Sequence, residues 1–222
     1  MNITNDRVTE YLEGLYQPLN LDLKQLRADA EEQHIPIILR ESEAYLLNII
    51  RTKKPRRILE IGTAIGYSAI CFAAASPETE IVSLEVSEEM FQTASKNVER
   101  FGLSNRIQIK LGDAVESLKE MSSAIIDVDT AGFDLVFIDA AKSHYKEFWD
   151  GSIPLCRKSA VILSDNVLLK GTTASDEYVT EKRHKTSVKR MREFIEYIMK
   201  SDYADTAVLS VGDGVAFSVL RG

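Results

Sequence analysis

Five short apolar runs, at residues 57–61, 80–84, 107–111, 133–138 and 160–164, are separated by amphipathic stretches near 67–75, 88–101, 114–121 and 145–155. This alternation constrains the fold more than any other feature of the chain. A near-continuous apolar run marks a strand covered on both faces, and parallel strands need a crossover that a helix supplies. Strand–helix repetition therefore predicts an α/β chain with a parallel, doubly wound, Rossmann-like sheet. The last part breaks the rhythm. A long helix over 185–200 precedes strands at 206–210 and 215–220, joined through Gly212-Asp213-Gly214. Two strands about so short a turn read as an antiparallel hairpin. In open sheets of this kind ligands sit beyond the carboxyl ends of the strands, so the chemistry is sought there.

The residues before the first strand read as helices. Val8, Leu12 and Leu15, then Leu23, Leu26 and Ala30, recur at helical spacing, with Pro18 and Pro36 as breaks and a third helix over 41–52. We expect one domain over 1–222, with a helical cap at 1–52 and a ligand-binding α/β core at 53–222. The chain is 45% hydrophobic, so it can bury a substantial core. It has no membrane-length apolar run, and its start lacks the layout of a signal peptide. Cys71 and Cys156 are too few for a disulfide framework. A cytoplasmic protein with no membrane partner is the expectation. The net charge of −7 argues against a protein that coats nucleic acid. Against that background, Lys182, Arg183, Lys185, Lys189, Arg190 and Arg192 form a local basic segment without an acid among them.

The first strand runs into Glu60-Ile61-Gly62-Thr63-Ala64-Ile65-Gly66-Tyr67-Ser68. Glycines let the chain turn sharply and let a ligand approach the backbone, and the next helix start offers free N–H groups to an anion. The Gly-x-x-x-Gly spacing differs from the tighter Gly-x-Gly-x-x-Gly of pyrophosphate-bearing dinucleotides. S-adenosylmethionine, with a carboxylate, a sulfonium and a nucleoside, needs no such turn. The second strand ends at Glu85, placed for ribose hydroxyls. The third ends at Gly112-Asp113-Ala114, where a carboxylate can meet an adenine amino group. Any doubly wound sheet has glycines and acids at its strand ends, but Glu85 and Asp113 at successive ends favour a nucleoside.

The fourth strand ends at Asp139 and the fifth at Asp165-Asn166. Adjacent parallel strands bring these together as two carboxylates and an amide oxygen, a hard-oxygen set suited to Mg2+ or a similar divalent ion such as Mn2+ or Ca2+. Read separately, Asp139 is a cofactor-facing acid and Asp165-Asn166 a turn or helix cap. Lys142 lies three residues past Asp139. Beside a bound cation and a sulfonium its pKa is expected to fall, which suits a general base; on its own it reads as an exposed lysine at a helix start. His144 reads as a surface residue.

Together, Glu60-x-Gly62-x-x-x-Gly66-x-Ser68, Asp139-x-x-Lys142-x-x-Tyr145, Asp165-Asn166 and Val211-Gly212-Asp213-Gly214 resemble the cation-dependent O-methyltransferases, the family of the catechol and caffeoyl-CoA enzymes. The resemblance runs from about Ile35 to the C-terminus. It implies a seven-stranded class I methyltransferase sheet with a reversed last strand, cofactor contacts from Ile35 and Ser68, and a homodimer. Within the family, 34–37, 58–70, 137–142 and 165–171 are similar to the bacterial tRNA 5-hydroxyuridine methyltransferases, which implies that the wobble uridine becomes 5-methoxyuridine. The 5-hydroxyl and 4-carbonyl oxygens of that base can chelate one metal ion as the two oxygens of a catechol do. The motifs therefore leave a small catechol-like or phenolic acceptor open. Lys182, Lys185, Lys189 and Arg192 at helical spacing, with Lys170, suit an anticodon loop; a solvated helix face is the other reading of such a charge run.

Overall fold

The structure is a computed structural model that describes residues 5–179 and 185–221. Three helices come first: α1 (Asp6–Leu15), α2 (Leu21–Glu32) and α3 (Arg40–Lys53). The alternating part follows as β1 (Arg57–Ile61), α4 (Tyr67–Ala75), β2 (Glu80–Glu85), α5 (Glu88–Arg100), β3 (Ile107–Leu111), α6 (Ala114–Ala124), α7 (Val128–Ala131), β4 (Phe133–Ile138), α8 (Tyr145–Ser152) and β5 (Cys156–Ser164). It ends with α9 (Lys185–Met199), β6 (Ala204–Leu209) and β7 (Val215–Leu220). The strands form one sheet of order β3-β2-β1-β4-β5-β7-β6, in which β7 runs antiparallel to both neighbours. This is the seven-stranded sheet with a reversed last strand that the sequence pattern and the resemblance implied.

Side chains alternate across the strands, so the sheet buries two cores. Ile58, Ile81, Leu135, Phe137 and Leu163 meet α2, α3 and α4 on one face. Leu59, Val82, Val136, Ile138 and Ile162 meet α6, α8 and α9 on the other. Glu60 falls on the α2–α4 face by this alternation, and its register partner on β2 is Ser83. Two polar residues thus occupy core positions directly beneath α4.

β5 begins four residues before the expected 160. Arg157, Lys158 and Ser159 carry no apolar signal, yet the strand passes through them with a register shift against β4 and with Ser159 at φ 59°. α7 carried no periodic signal because it is a single turn. The expected stripe of Val8, Leu12 and Leu15 exists, but α1 buries none of its residues, and those three side chains are at least 43% exposed. On α9 the buried face is Val188, Met191, Phe194 and Ile198, with Ile195 at its edge. Among the described residues, no helix is long and apolar enough to cross a membrane.

Candidate active site

The strand order decides which ends meet. Residues after β3, β2, β1, β4 and β5 lie in that sequence along one edge of the sheet. They line a cavity of ≈ 620 Å³ whose wall includes Asp113, Ala114, Glu85, Gly62, Ser68, Asp139, Lys142 and Asn166.

The glycine loop is shaped by close approach. Gly62 has φ 101°, and a Cβ there would lie 2.0 Å from the backbone oxygen of Asp139. The β1 and β4 ends can sit side by side only because that atom is missing. Gly66, at φ 80°, caps α4, and a Cβ there would press on Ala94 of α5. It shapes the helix start and does not line the cavity. The Glu85 carboxylate accepts from the amides of Ala64 and Ser87, each at 2.8 Å, and so ties the loop to β2. Asp113 caps α6 by accepting from the Glu116 amide at 3.1 Å.

Glu60 is fully buried and lies under the cavity floor, not in its wall. Its carboxylate accepts from the Ser68 hydroxyl at 2.5 Å and from the Ser83 hydroxyl. Burial pushes its pKa up to about 7, with Asp139 and Glu85 adding to the rise. Ile35 packs against the α2–α4 core, and its segment reaches the cavity through Pro36, Ile37 and Ile38 instead. The expected cofactor contacts at Ile35, Glu60 and Gly66 are therefore one layer back from the wall. Thr63, Tyr67, Val86, Val115, Phe148 and His144 line the cavity without having been singled out for it. His144, read as a surface residue, is exposed and also borders the cavity.

Tyr67 and Ile38 owe their placement to a buried ion pair. Arg27 donates to Glu43 at 2.6 Å and to the Ile38 carbonyl at 2.8 Å, and the Tyr67 hydroxyl donates to Glu43 at 2.9 Å. The helical cap is thereby bolted to the cavity wall.

Lys142, Asp139 and Asn166 converge as their positions at adjacent strand ends suggested. The Lys142 ammonium donates to Asp139 at 2.8 Å, to Asn166 Oδ1 at 2.9 Å and to the Tyr145 hydroxyl at 2.7 Å. Asp165 is fully buried beside them. Its Oδ1 accepts from the Asn166 amide at 2.8 Å, while Oδ2 has no hydrogen-bond partner. Desolvation first, then the charge of Asp139, push its pKa up to about 7. Asn166 holds φ 55°, and its Oδ1 meets the same ammonium as Asp139 does.

The turn after Asn166 is clamped from two sides. The Val167 and Leu168 amides donate to the carbonyls of Gly214 and Asp213, each at 3.0 Å, and the Lys170 amide donates to the Asp213 carboxylate. A Cβ at Gly214 would strike the Leu168 side chain. Arg192 then holds the carbonyls of Thr172 and Thr173 at 2.7 and 2.9 Å and pairs with Asp176 at 2.8 Å. Arg190 donates to the Ser143 carbonyl at 3.1 Å. These two arginines, expected as RNA contacts, are engaged within the protein. Lys170, Lys185 and Lys189 are exposed, Lys189 within 3.8 Å of Glu193. Lys182 and Arg183 lie outside the described residues.

A profile of the O-methyltransferase family matches residues 17–221. The chain belongs to that family. It is 32% identical over 172 residues to a catechol O-methyltransferase of Niastella koreensis, covering 75% of this chain and 74% of that one. It is 29% identical to the O-methyltransferase imqG of Aspergillus flavus, over 69% of this chain. The chain spans only 61% of the length of imqG. A crystal structure of the Bacillus cereus O-methyltransferase with S-adenosylhomocysteine superposes with a TM-score of 0.81, at 26% identity and 97% of each chain. The sheet described above is therefore the S-adenosylmethionine-dependent methyltransferase fold.

Proposed function

We propose that this protein methylates the 5-hydroxyl of the wobble uridine of tRNA, with S-adenosylmethionine as donor and a divalent cation holding the acceptor. The donor reading is supported by family membership and by the row of strand ends. Glu85 and Asp113 suit the ribose and adenine, and Ser68 with the α4 start suits the carboxylate.

For the cation, the fit rests on the donor set. Asp139 and Asn166 already direct two oxygens at one ammonium, and Asp165 keeps a buried oxygen without a donor. Among the described residues no group of three or more His, Cys, Asp or Glu side chains is gathered for a metal. Two carboxylates and an amide instead suit a hard ion that shares its remaining positions with the acceptor. Such an ion, Mg2+ or a similar one, would supply the charge that draws a pair of adjacent ring oxygens into Asp139, Asp165 and Asn166. With Asp139 and Asn166 engaged by such an ion, Lys142 would release its own proton to solvent, and the neutral amine at Nζ takes the hydroxyl proton. The ion pair with Asp139 at 2.8 Å then stabilises the ammonium so formed. The new oxygen–methyl bond forms as the sulfur–methyl bond breaks, and S-adenosylhomocysteine leaves. Positioning supplies most of the acceleration.

One observation favours an RNA acceptor. The basic start of α9 is joined to the site through the Arg190–Ser143 bond, next to Lys142. Lys185 and Lys189 are exposed on the same helix and are free to meet phosphates of an anticodon loop. The exposed apolar side chains of α1 support the homodimer.

The test is nucleoside mass spectrometry of tRNA from a strain lacking the gene, joined to transfer assays with the purified protein and Mg2+. Accumulated 5-hydroxyuridine with loss of 5-methoxyuridine is expected. An unchanged tRNA profile, with transfer to catechols, would replace the RNA acceptor by a small phenolic one.

A further inference from the structure

Glu60 touches no part of the cavity, yet it controls a hydroxyl that does. Ser68 lines the wall at the first turn of α4, and its single hydroxyl proton points away from the cavity to Glu60 Oε1 at 2.5 Å. The other Glu60 oxygen accepts from Ser83, whose own oxygen lies 2.6 Å from the Thr63 hydroxyl. Hydrogen-bond accounting then has three solutions, one of which keeps the Ser68 hydrogen on Glu60 even when the carboxyl is neutral, its proton lying on the Ser83 side and Ser83 donating to Thr63. With Glu60 ionised, Ser68 and Ser83 both donate to it. Ser68 then presents only lone pairs to the cavity. With Glu60 neutral and its proton on Oε1, the carboxyl donates to Ser68 and frees the Ser68 hydrogen to point outward, the arrangement that an acceptor on Ser68 selects.

An anionic ligand carboxylate at the α4 start distinguishes these states. It needs a donor from Ser68, not lone pairs, and it repels an ionised Glu60 a few atoms away. We propose that Glu60 is a positioning residue that sets the direction of the Ser68 hydroxyl, and that binding of the cofactor's amino-acid carboxylate draws one proton from solvent onto Glu60. The inference rests on the cofactor reading given above. The groups facing Glu60 favour the same outcome. Asp139 from β4 and Glu85 from β2 are both acidic, α4 contributes the buried thiol of Cys71 with Ser68, and none of these is a cation. Burial already holds Glu60 near neutrality, its pKa lying at about 7 before any ligand arrives. A second negative charge on Ser68 raises it further.

The experiment is calorimetry of S-adenosylhomocysteine binding to the full protein in buffers of different ionisation enthalpy, from pH 6 to 9. The wild type should take up close to one proton near pH 8 and almost none at pH 6. Its Kd should weaken by up to tenfold per pH unit at the alkaline end. Glu60→Gln keeps a neutral donor toward Ser68. It should bind with no uptake, and its Kd should stay within about threefold of the wild-type value at pH 6 across the range. Wild-type binding without proton uptake, or the same uptake in Glu60→Gln, would overturn the proposal. Should Glu60→Gln not fold, Ser68→Ala decides: uptake near pH 8 should fall well below the wild-type value, only the charge repulsion remaining, and unaltered uptake would overturn it. Failure of the wild type to bind S-adenosylhomocysteine at all would overturn the cofactor reading, and this proposal with it.

Discussion

At the residue scale, three positions carry consequences that can be measured. Gly62 is needed because a Cβ would overlap the Asp139 backbone oxygen, and because φ 101° strains any other residue. Gly62→Ala should cost about 2–4 kcal/mol and abolish ligand binding, read by thermal melts with and without S-adenosylhomocysteine. Asp165 is a buried carboxylate whose Oδ2 has no donor, beside a second carboxylate. Asp165→Asn keeps the shape and removes the charge. Without added cation it should raise Tm by a few degrees; with Mg2+ it should lose the stabilisation the wild type gains. A lower Tm in cation-free buffer would show that the Asp165 charge is satisfied. Glu60 is raised from an ordinary value near 4.5 to about 7. Between those values the native state holds a proton that the unfolded chain has released. Its contribution to stability therefore falls as pH rises from 4.5 to 7 and is flat above. Glu60→Gln should escape this. Its stability relative to wild type should grow by about 2–3 kcal/mol from pH 4.5 to 8, read by denaturant melts at each pH.

At the element scale, the segment that carries Asn166 is not held by its own strand. The turn of residues 166–171 contains Asn166, Leu169, Lys170 and Gly171 at positive φ, a costly conformation maintained by outside partners. Those partners are the β6–β7 turn and Arg192. The motif Val211-Gly212-Asp213-Gly214 is thus a clamp for the β5 end: Gly214 makes room for Leu168, and Asp213 caps the Lys170 amide. Arg192→Ala removes two carbonyl contacts and an ion pair from residues 172–176. Hydrogen exchange there should rise at least about fivefold for roughly 1 kcal/mol of lost local stability, while β1–β4 amides stay unchanged. This outcome separates Arg192 from the exposed lysines. If Arg192→Ala left exchange unaltered and only weakened RNA binding, its role would be at the surface.

At the scale of the whole molecule, the buried pair Arg27–Glu43, with side-chain exposures of 6% and 1%, joins α2 to α3, and both residues reach the Tyr67 hydroxyl of α4. Arg27→Met alone leaves Glu43 charged and buried and should cost about 3–5 kcal/mol. Adding Glu43→Leu should restore most of it, so a denaturant double-mutant cycle gives a coupling of the same sign and order. The RNA reading is also tested at this scale. Lys185→Glu with Lys189→Glu should weaken tRNA binding roughly tenfold or more and flatten its salt dependence, leaving S-adenosylhomocysteine affinity unchanged. Equal tRNA affinity in that variant would remove α9 from the RNA path.

The sequence by itself determined the elements and their order, because apolar period and length are local properties. β1, β3, β4 and β7 begin and end where the apolar runs do, and α4 spans its amphipathic stretch. It also brought Asp139, Asp165 and Asn166 to one edge, with Lys142 near it, since ends of adjacent parallel strands must meet. Only the tertiary structure decided what each polar residue faces. Glu60 reads like a wall residue in its motif, but pleat alternation turns it under α4. Arg190 and Arg192 read as part of a basic segment for RNA, yet both reach backbone carbonyls, of Ser143 and of Thr172 and Thr173. Ile35 packs against the core beside the cavity for the same reason. A side chain's direction is fixed by packing between distant segments, and charge patterns along a chain carry no information about which distant carbonyl or carboxylate will answer them.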